Sequence, residues 1–229
     1  MRGRCWKGIP TTANRQRVAA VDNGRMLPHA FVYLASQSPR RVQLLDQMGV
    51  PHRPLLPAKT ENAEALEEAR SQELPLDYVR RVALVKLLAA RARLRQRRLP
   101  EAPILCADTT VALGRRILGK PAGPEHAVEM LRALSGRTHR VMTAVAVSAG
   151  TQNLLLTSTS RVRFAELSEH SIRRYVETGE PRGKAGSYAI QGRIAAWIEH
   201  IEGSHSGIMG LPLHETRILL SRARVRMDL

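Results

Sequence analysis

Residues 31–49 read FVYLASQSPRRVQLLDQMG. The run FVYLA over 31–35 is short and apolar, which predicts a buried strand. Val42, Leu44, Leu45 and Met48 then recur at helical spacing, with Ser38 placed for an N-cap, Pro39 at the first helical position and Gly49 as the stop. A strand that passes through a short Ser-containing loop into a helix of about three turns is an α/β unit.

Outward from this unit the alternation continues. Residues 59–76 are acidic and polar and predict a loop with some helix, whereas 77–98 (DYVRRVALVKLLAARARLRQRR) predict a long amphipathic helix with Val79, Val82, Ala83, Leu87 and Leu88 on its apolar side. APILCADTTVAL over 102–113 reads as a second buried strand, interrupted by one acid. A turn at Gly114, a helix over 125–134 closed by Gly136, two long strands over 139–150 and 154–167, and a helix over 168–179 capped by Ser168 follow. Last come a Gly-rich stretch over 183–212 and a helix from about His214. The mixture, with no internal repeat, predicts an α/β domain with a mixed sheet. Residues 1–25 carry Arg2, Arg4, Lys7, Arg15, Arg17 and Arg25 against Asp22 without periodicity, and read as a disordered basic extension to a single domain over 26–229, with Met26 as an alternative start.

Among the 229 residues, 36 Lys and Arg oppose 20 Asp and Glu, a net charge of +16, and 43% are hydrophobic, enough for one core. No apolar run approaches the roughly 18–20 residues of a membrane helix, so no membrane partner is expected. Cys5 and Cys106 lie far apart, which argues against a disulfide scaffold or zinc site and for a reducing, cytoplasmic setting. The basic excess attracts phosphate, but aromatic residues at 3% are too few for single-strand stacking platforms, so no stable nucleic-acid complex is expected. Only Lys7, Lys59, Lys86, Lys120 and Lys184 are lysines; the other basic residues are Arg, so each ammonium is informative.

Two local rules are broken. The first turn of a helix favours acids, yet Arg40 and Arg41 occupy it after Ser36. A bound anion would resolve the conflict; two solvated arginines would cost only a few tenths of a kcal/mol, and periodicity leaves both readings open. Asp108, in turn, would cost several kcal/mol if buried unpaired, so it needs a cation, a metal or a cleft, unless it simply ends a turn. Thr109 and Thr110 follow it with hydroxyls. Lys86, Lys120 and Lys184 suit triphosphate oxygens, and Glu61 could join Asp108 on a divalent ion, although Glu64, Glu67 and Glu68 make its neighbourhood look like a solvated stretch. Gln191 could read a base edge or satisfy backbone groups. Serine-hydrolase, P-loop and dinucleotide-binding signatures are all missing.

Taken in order, LASQSPRR (34–41), ADTTV (107–111), ILGKP (117–121), LSGRTH (134–139), GEPRGKAGSYAIQG (179–192) and GLPLHET (210–216) resemble the Maf family of nucleoside triphosphate pyrophosphatases. The resemblance implies a two-lobed α/β, Maf/ITPase-like fold with a mixed central sheet and an active-site cleft between the lobes, spanning 26–229 as one catalytic domain. It also implies a cytoplasmic hydrolase that splits nucleoside triphosphates into monophosphate and diphosphate with Mg²⁺ or Mn²⁺, commonly as a homodimer. Asp108 then resembles the proton acceptor, and Ser36, Arg40, Lys86 and Lys120, with Arg41 beside them, the phosphate-binding set. Glu61, or Glu64 if the longer segment before Tyr78 shifts the alignment, resembles the second acid that shares the metal with Asp108. Arg40, Thr109 and Gln191 fall where specificity is set, and KAGSYAIQG is similar to the branch acting on dTTP and UTP. A non-catalytic septum-formation regulator and a basic nucleic-acid binder are the rival readings.

Overall fold

The computed structural model describes residues 28–58, 61 and 65–228, with the backbone alone of 21–22, 25–26 and 64. The predicted basic extension therefore falls largely outside the described residues. At its end β1 (Val21–Asp22) pairs antiparallel with β2 (Arg25–Met26).

The chain then builds β3 (Val32–Leu34), α1 (Pro39–Gln47) and β4 (His52–Pro54), a parallel unit in which β3 carries β4 on one edge. A 3₁₀ turn (Glu64–Glu67) leads into α2 (Pro75–Gln96). After it come β5 (Ile104–Leu113), β6 (Arg116–Leu118), α3 (Pro124–Leu134), β7 (Thr138–Ala149), β8 (Gln152–Phe164) and α4 (Glu169–Glu177). The chain closes with β9 (Ile198–Glu202), α5 (His205–Met209) and α6 (Leu213–Arg222). The sheet is mixed, in the order β4-β3-β5-β7-β8-β9 with β6 added to β5; only the β3 pairings are parallel. The short strands β4, β6 and β9 were not legible as strands, because three to five residues carry too little periodicity.

Alternation along β5 separates two layers. Leu105 and Ala107 pack with Leu44, Leu45, Leu219 and Leu220 of α1 and α6, whereas Ile104 and Cys106 pack with Val79, Ala83 and Leu87 of α2. Leu88, expected on the apolar side of α2, is instead exposed, since the buried stripe runs through Val79, Ala83, Leu87 and Ala90 and position 88 is turned about 100° from Leu87. A third cluster of α3, α4 and the far halves of β5 and β7 forms the second lobe.

The decisive irregularity lies along β5. β3 pairs with it at Ile104 and Leu105, and β6 pairs with it from Val111 to Leu113. Among the described residues, no strand covers that edge over 106–110, so the sheet forks around Asp108.

In the second lobe His139 is buried against Phe164 and Tyr188, with ring centroids 5.0 and 5.5 Å away, and its Nε2 shares a 2.8 Å hydrogen bond with the Tyr188 hydroxyl. Burial lowers its pKa from 6.5 to about 4. The folded state therefore binds fewer protons than the unfolded chain, and stability is complete above pH 6.5 and lost as pH falls towards 4, by about 3 kcal/mol. Thermal melts across that window should show the decline, and His139→Gln should flatten it; an unchanged slope would show that His139 does not titrate on unfolding.

Candidate active site

The fork in the sheet opens into a cleft of about 610 Å³. Its lining comes from the loop between β3 and α1, from α2, the centre of β5, the loop after β6, residues 182–190 and the end of α5. Concave sites of this size suit small-molecule ligands.

Asp108 sits in the middle of β5 and is 7% exposed. Its side chain faces α2, where Lys86 Nζ donates to Oδ1 at 2.6 Å. Lys86 also lies 2.7 Å from Glu67 Oε1, and Glu67 Oε2 accepts from Lys120 at 2.7 Å. Two carboxylates and two ammonium groups thus form one chain across the cleft. Burial pushes the Glu67 pKa up, but Lys86 and Lys120 outweigh it and hold the carboxyl below its ordinary range. Glu67 is kept there by α2, since Tyr78 Oη donates to the Glu67 carbonyl at 2.8 Å and Arg81 Nη2 to the Glu68 carbonyl at 2.8 Å. Arg81 is itself fixed by Glu73.

On the other face of β5 the two arginines of α1 meet the end of α5. Arg40 Nε donates to the Met209 carbonyl at 3.2 Å and Arg41 Nε to the Gly210 carbonyl at 2.8 Å. Arg41 also donates to Ser36 Oγ at 3.0 Å and Thr109 Oγ1 at 3.4 Å, and Thr109 continues through Thr143 to the Gly207 carbonyl. The unusual basic first turn is therefore matched in part by carbonyls at a helix C-terminus, where cations are favoured. Ser38 occupies the N-cap position with no side-chain cap hydrogen bond.

Ser36, Arg40, Arg41, Lys86, Asp108, Thr109 and Lys120 all line the cleft. Glu61 does not. Its carboxylate is taken by Arg93, which is 6% exposed: Nε donates at 3.0 and 3.1 Å and Nη2 at 2.5 Å, and Arg93 Nη1 binds the Leu55 carbonyl. That pairing holds the Glu61 pKa down at about 2. The structure thus separates Glu61 from Asp108, and Glu67 is the carboxylate brought beside it. The side chain of Glu64 lies outside the described residues. Gln191 is exposed on a turn and is not among the lining residues.

Lys184, expected beside Lys86 and Lys120, lines the cleft too, and Glu67 is the cleft residue of most consequence outside the expected set. Glu67 could not be picked from the acidic run, because its position depends on Tyr78 and Arg81. Its carboxylate and that of Asp108 both reach one Lys86 nitrogen, an all-oxygen pair of the kind that holds Mg²⁺ or Mn²⁺ together with substrate phosphates. Chemically, the cleft offers cations for a polyanion and a buried carboxylate for a proton.

Comparison with known proteins agrees with this geometry. Residues 31–223 match the family model described as Maf-like protein. A Polaromonas sp. protein is 58% identical over 197 residues, covering 86% of this chain and 98% of its own length. A Burkholderia pseudomallei protein is 58% identical over 199 residues (86% of this chain, 95% of its own), and a Ralstonia nicotianae protein 54% over 201 (87% and 97%). All three are named dTTP/UTP pyrophosphatase. A mixed sheet forked around a buried aspartate, lysines from two segments meeting there, and this extent of similarity have one conclusion: the chain belongs to the Maf family.

Proposed function

We propose that the protein hydrolyses dTTP and UTP to the nucleoside monophosphate and diphosphate. The observation that carries this reading is Asp108, a buried carboxylate set in a cleft among Lys86, Lys120 and Arg41. Similarity to proteins named dTTP/UTP pyrophosphatase favours these pyrimidine nucleotides, and catalysis over a regulator without it.

In this reading a water oxygen forms a bond to the α-phosphorus, and its proton passes to Asp108, whose Oδ2 makes no protein hydrogen bond among the described residues. The bond between the α-phosphorus and the oxygen bridging to the β-phosphorus breaks, and its electron pair leaves on the diphosphate. Lys86 holds the Asp108 carboxylate in place, while Lys120 and Ser36 are placed to bind phosphate oxygens. Asp108 and Glu67, rather than Glu61, fit a divalent ion, which would add charge neutralisation at the phosphates. Free nucleotides rather than a nucleic-acid strand suit a recessed cleft whose lining, among the described residues, includes two aromatic side chains, Tyr78 and Tyr188. A cytoplasmic location accords with the free buried thiol of Cys106.

Incubation with dTTP, UTP and 7-methyl-GTP plus Mg²⁺, with diphosphate assayed separately from orthophosphate, tests the reading. Diphosphate from the two pyrimidine nucleotides is expected; orthophosphate alone, or no turnover, overturns it. Asp108→Asn should lower kcat by about 10² or more while nucleotide affinity is retained. Lys120→Ala should raise KM and lower kcat together. Glu67→Gln should weaken the response of kcat to added Mg²⁺, whereas Glu61→Gln should lower the melting temperature by a few degrees with turnover kept, since it frees the buried Arg93 guanidinium. The opposite pattern would return the second acid to Glu61.

A further inference from the structure

Away from the cleft, the far edge of the sheet is open. On the side opposite β7, β9 pairs with β8 only from Arg161 to Phe164, and among the described residues no strand pairs with 152–160 there. The chain leaves that edge at Ser204, whose amide donates to Ser160 Oγ at 2.9 Å before α5 begins. An open edge presents unpaired N–H and C=O groups, and is ordinarily blunted by charged side chains, Pro or a bulge. None is present here. Residues 141–160 (VMTAVAVSAGTQNLLLTSTS) contain no Asp, Glu, Lys, Arg or Pro, although 24% of the chain is charged, and the register between β7 and β8 runs through without a shift.

The two faces beside this edge differ. Leu154 and Leu156 pack on the α6 side, against the cluster that holds Leu219 and Leu220, whereas Leu155 packs on the α2 side. Over that second face lie two arginines of α2. Arg80 Nε donates to Thr157 Oγ1 at 3.2 Å, and Arg91 donates to Asn153 Oδ1 at 2.8 Å and to the Gly150 carbonyl at 2.9 Å. Elsewhere on α2, Arg81 is paired with Glu73 and Arg93 with Glu61. Arg80 and Arg91 have no carboxylate within ion-pair distance among the described residues, and the strand beneath them supplies none.

We propose that the open edge of β8 takes up an acidic, extended polypeptide segment as one more strand of the sheet. Two independent features select it. Unpaired backbone donors and acceptors are matched by another backbone at strand spacing, which a polypeptide offers and a nucleic-acid strand does not. Side chains of an added strand alternate as those of β8 do, so one face meets Leu154 and Leu156 and the other meets Arg80 and Arg91. The fitting partner therefore alternates apolar residues with Asp or Glu. A second copy of this chain fits less well, because its own edge brings no acid and its arginines would meet like charge in a protein of net charge +16. None of these residues lines the cleft, so the surface stands apart from the pyrophosphatase reading.

Calorimetric titration of the intact protein with an end-capped peptide of four Glu-Val repeats reads the surface directly. Micromolar binding is expected, weakened about tenfold when NaCl is raised from about 0.05 to about 0.5 M. A Lys-Val repeat, and a peptide with its four Glu and four Val in separate blocks, should each bind at least about tenfold more weakly. Hydrogen exchange should slow at amides within 152–160 when the Glu-Val peptide is added. Arg80→Gln, at an exposed position, should weaken the peptide about threefold or more with the melting temperature unchanged. No binding at about 1 mM peptide, equal affinity for the Lys-Val or blocked peptide, or protection only outside the edge overturns the proposal. So does a dimer in sedimentation whose amides at 152–160 lose protection on dilution, since a second copy would then hold the edge.

Discussion

An ionised carboxylate in a buried strand is tolerated only where cations reach it, and this requirement organises the protein around Asp108. Lys86 answers it from one side of the sheet. Because Lys86 lies on α2 and Asp108 on β5, their contact fixes the helix along the strand in register as well as by the apolar stripe of Val79, Ala83 and Leu87. The same nitrogen draws in Glu67, and through it Lys120 from the loop after β6. A single charge in the core thus recruits three further segments to one point.

The fork in the sheet makes that point accessible. Had β3 or β6 run on, their backbone hydrogen bonds would have covered the edge of β5 at residues 106–110 and closed the cleft. Instead β3 ends after Leu34, the chain turns through Ser36 into α1, and the arginines of α1 reach the last carbonyls of α5. Arg41 then links Ser36 to Thr109, and Thr109 and Thr143 join this side of the cleft to the sheet interior. These contacts arrange the apolar layers and the polar cleft together.

The large elements were legible in the sequence because each carries several turns or residue pairs of periodic pattern. Residues 31–49, 77–98 and 102–113 became β3 and α1, α2, and β5 with only their ends shifted. Most of the expected residues line the cleft, and Asp108 in an apolar strand and paired arginines in a first helical turn were legible because they break local rules, which happens where a site offsets the cost. Glu61 illustrates the limit. In an acidic run, spacing does not say which carboxylate turns inward, and here Arg93 captured Glu61 while Tyr78 and Arg81 held the backbone that presents Glu67. Gln191 illustrates it again, because a turn of three residues places its side chain on the surface.

The sequence by itself determined the α/β class, the order of the major elements, the family through six ordered motifs and the identity of the buried acid, because these depend on local periodicity and on the cost of isolated charge. Only the tertiary structure decided which acid joins Asp108, where the sheet opens, and which cations are left without a carboxylate. Those outcomes depend on contacts between segments up to 169 residues apart, such as Arg41 with Gly210, and competition among many equivalent Glu and Arg side chains is settled by geometry that no local pattern encodes.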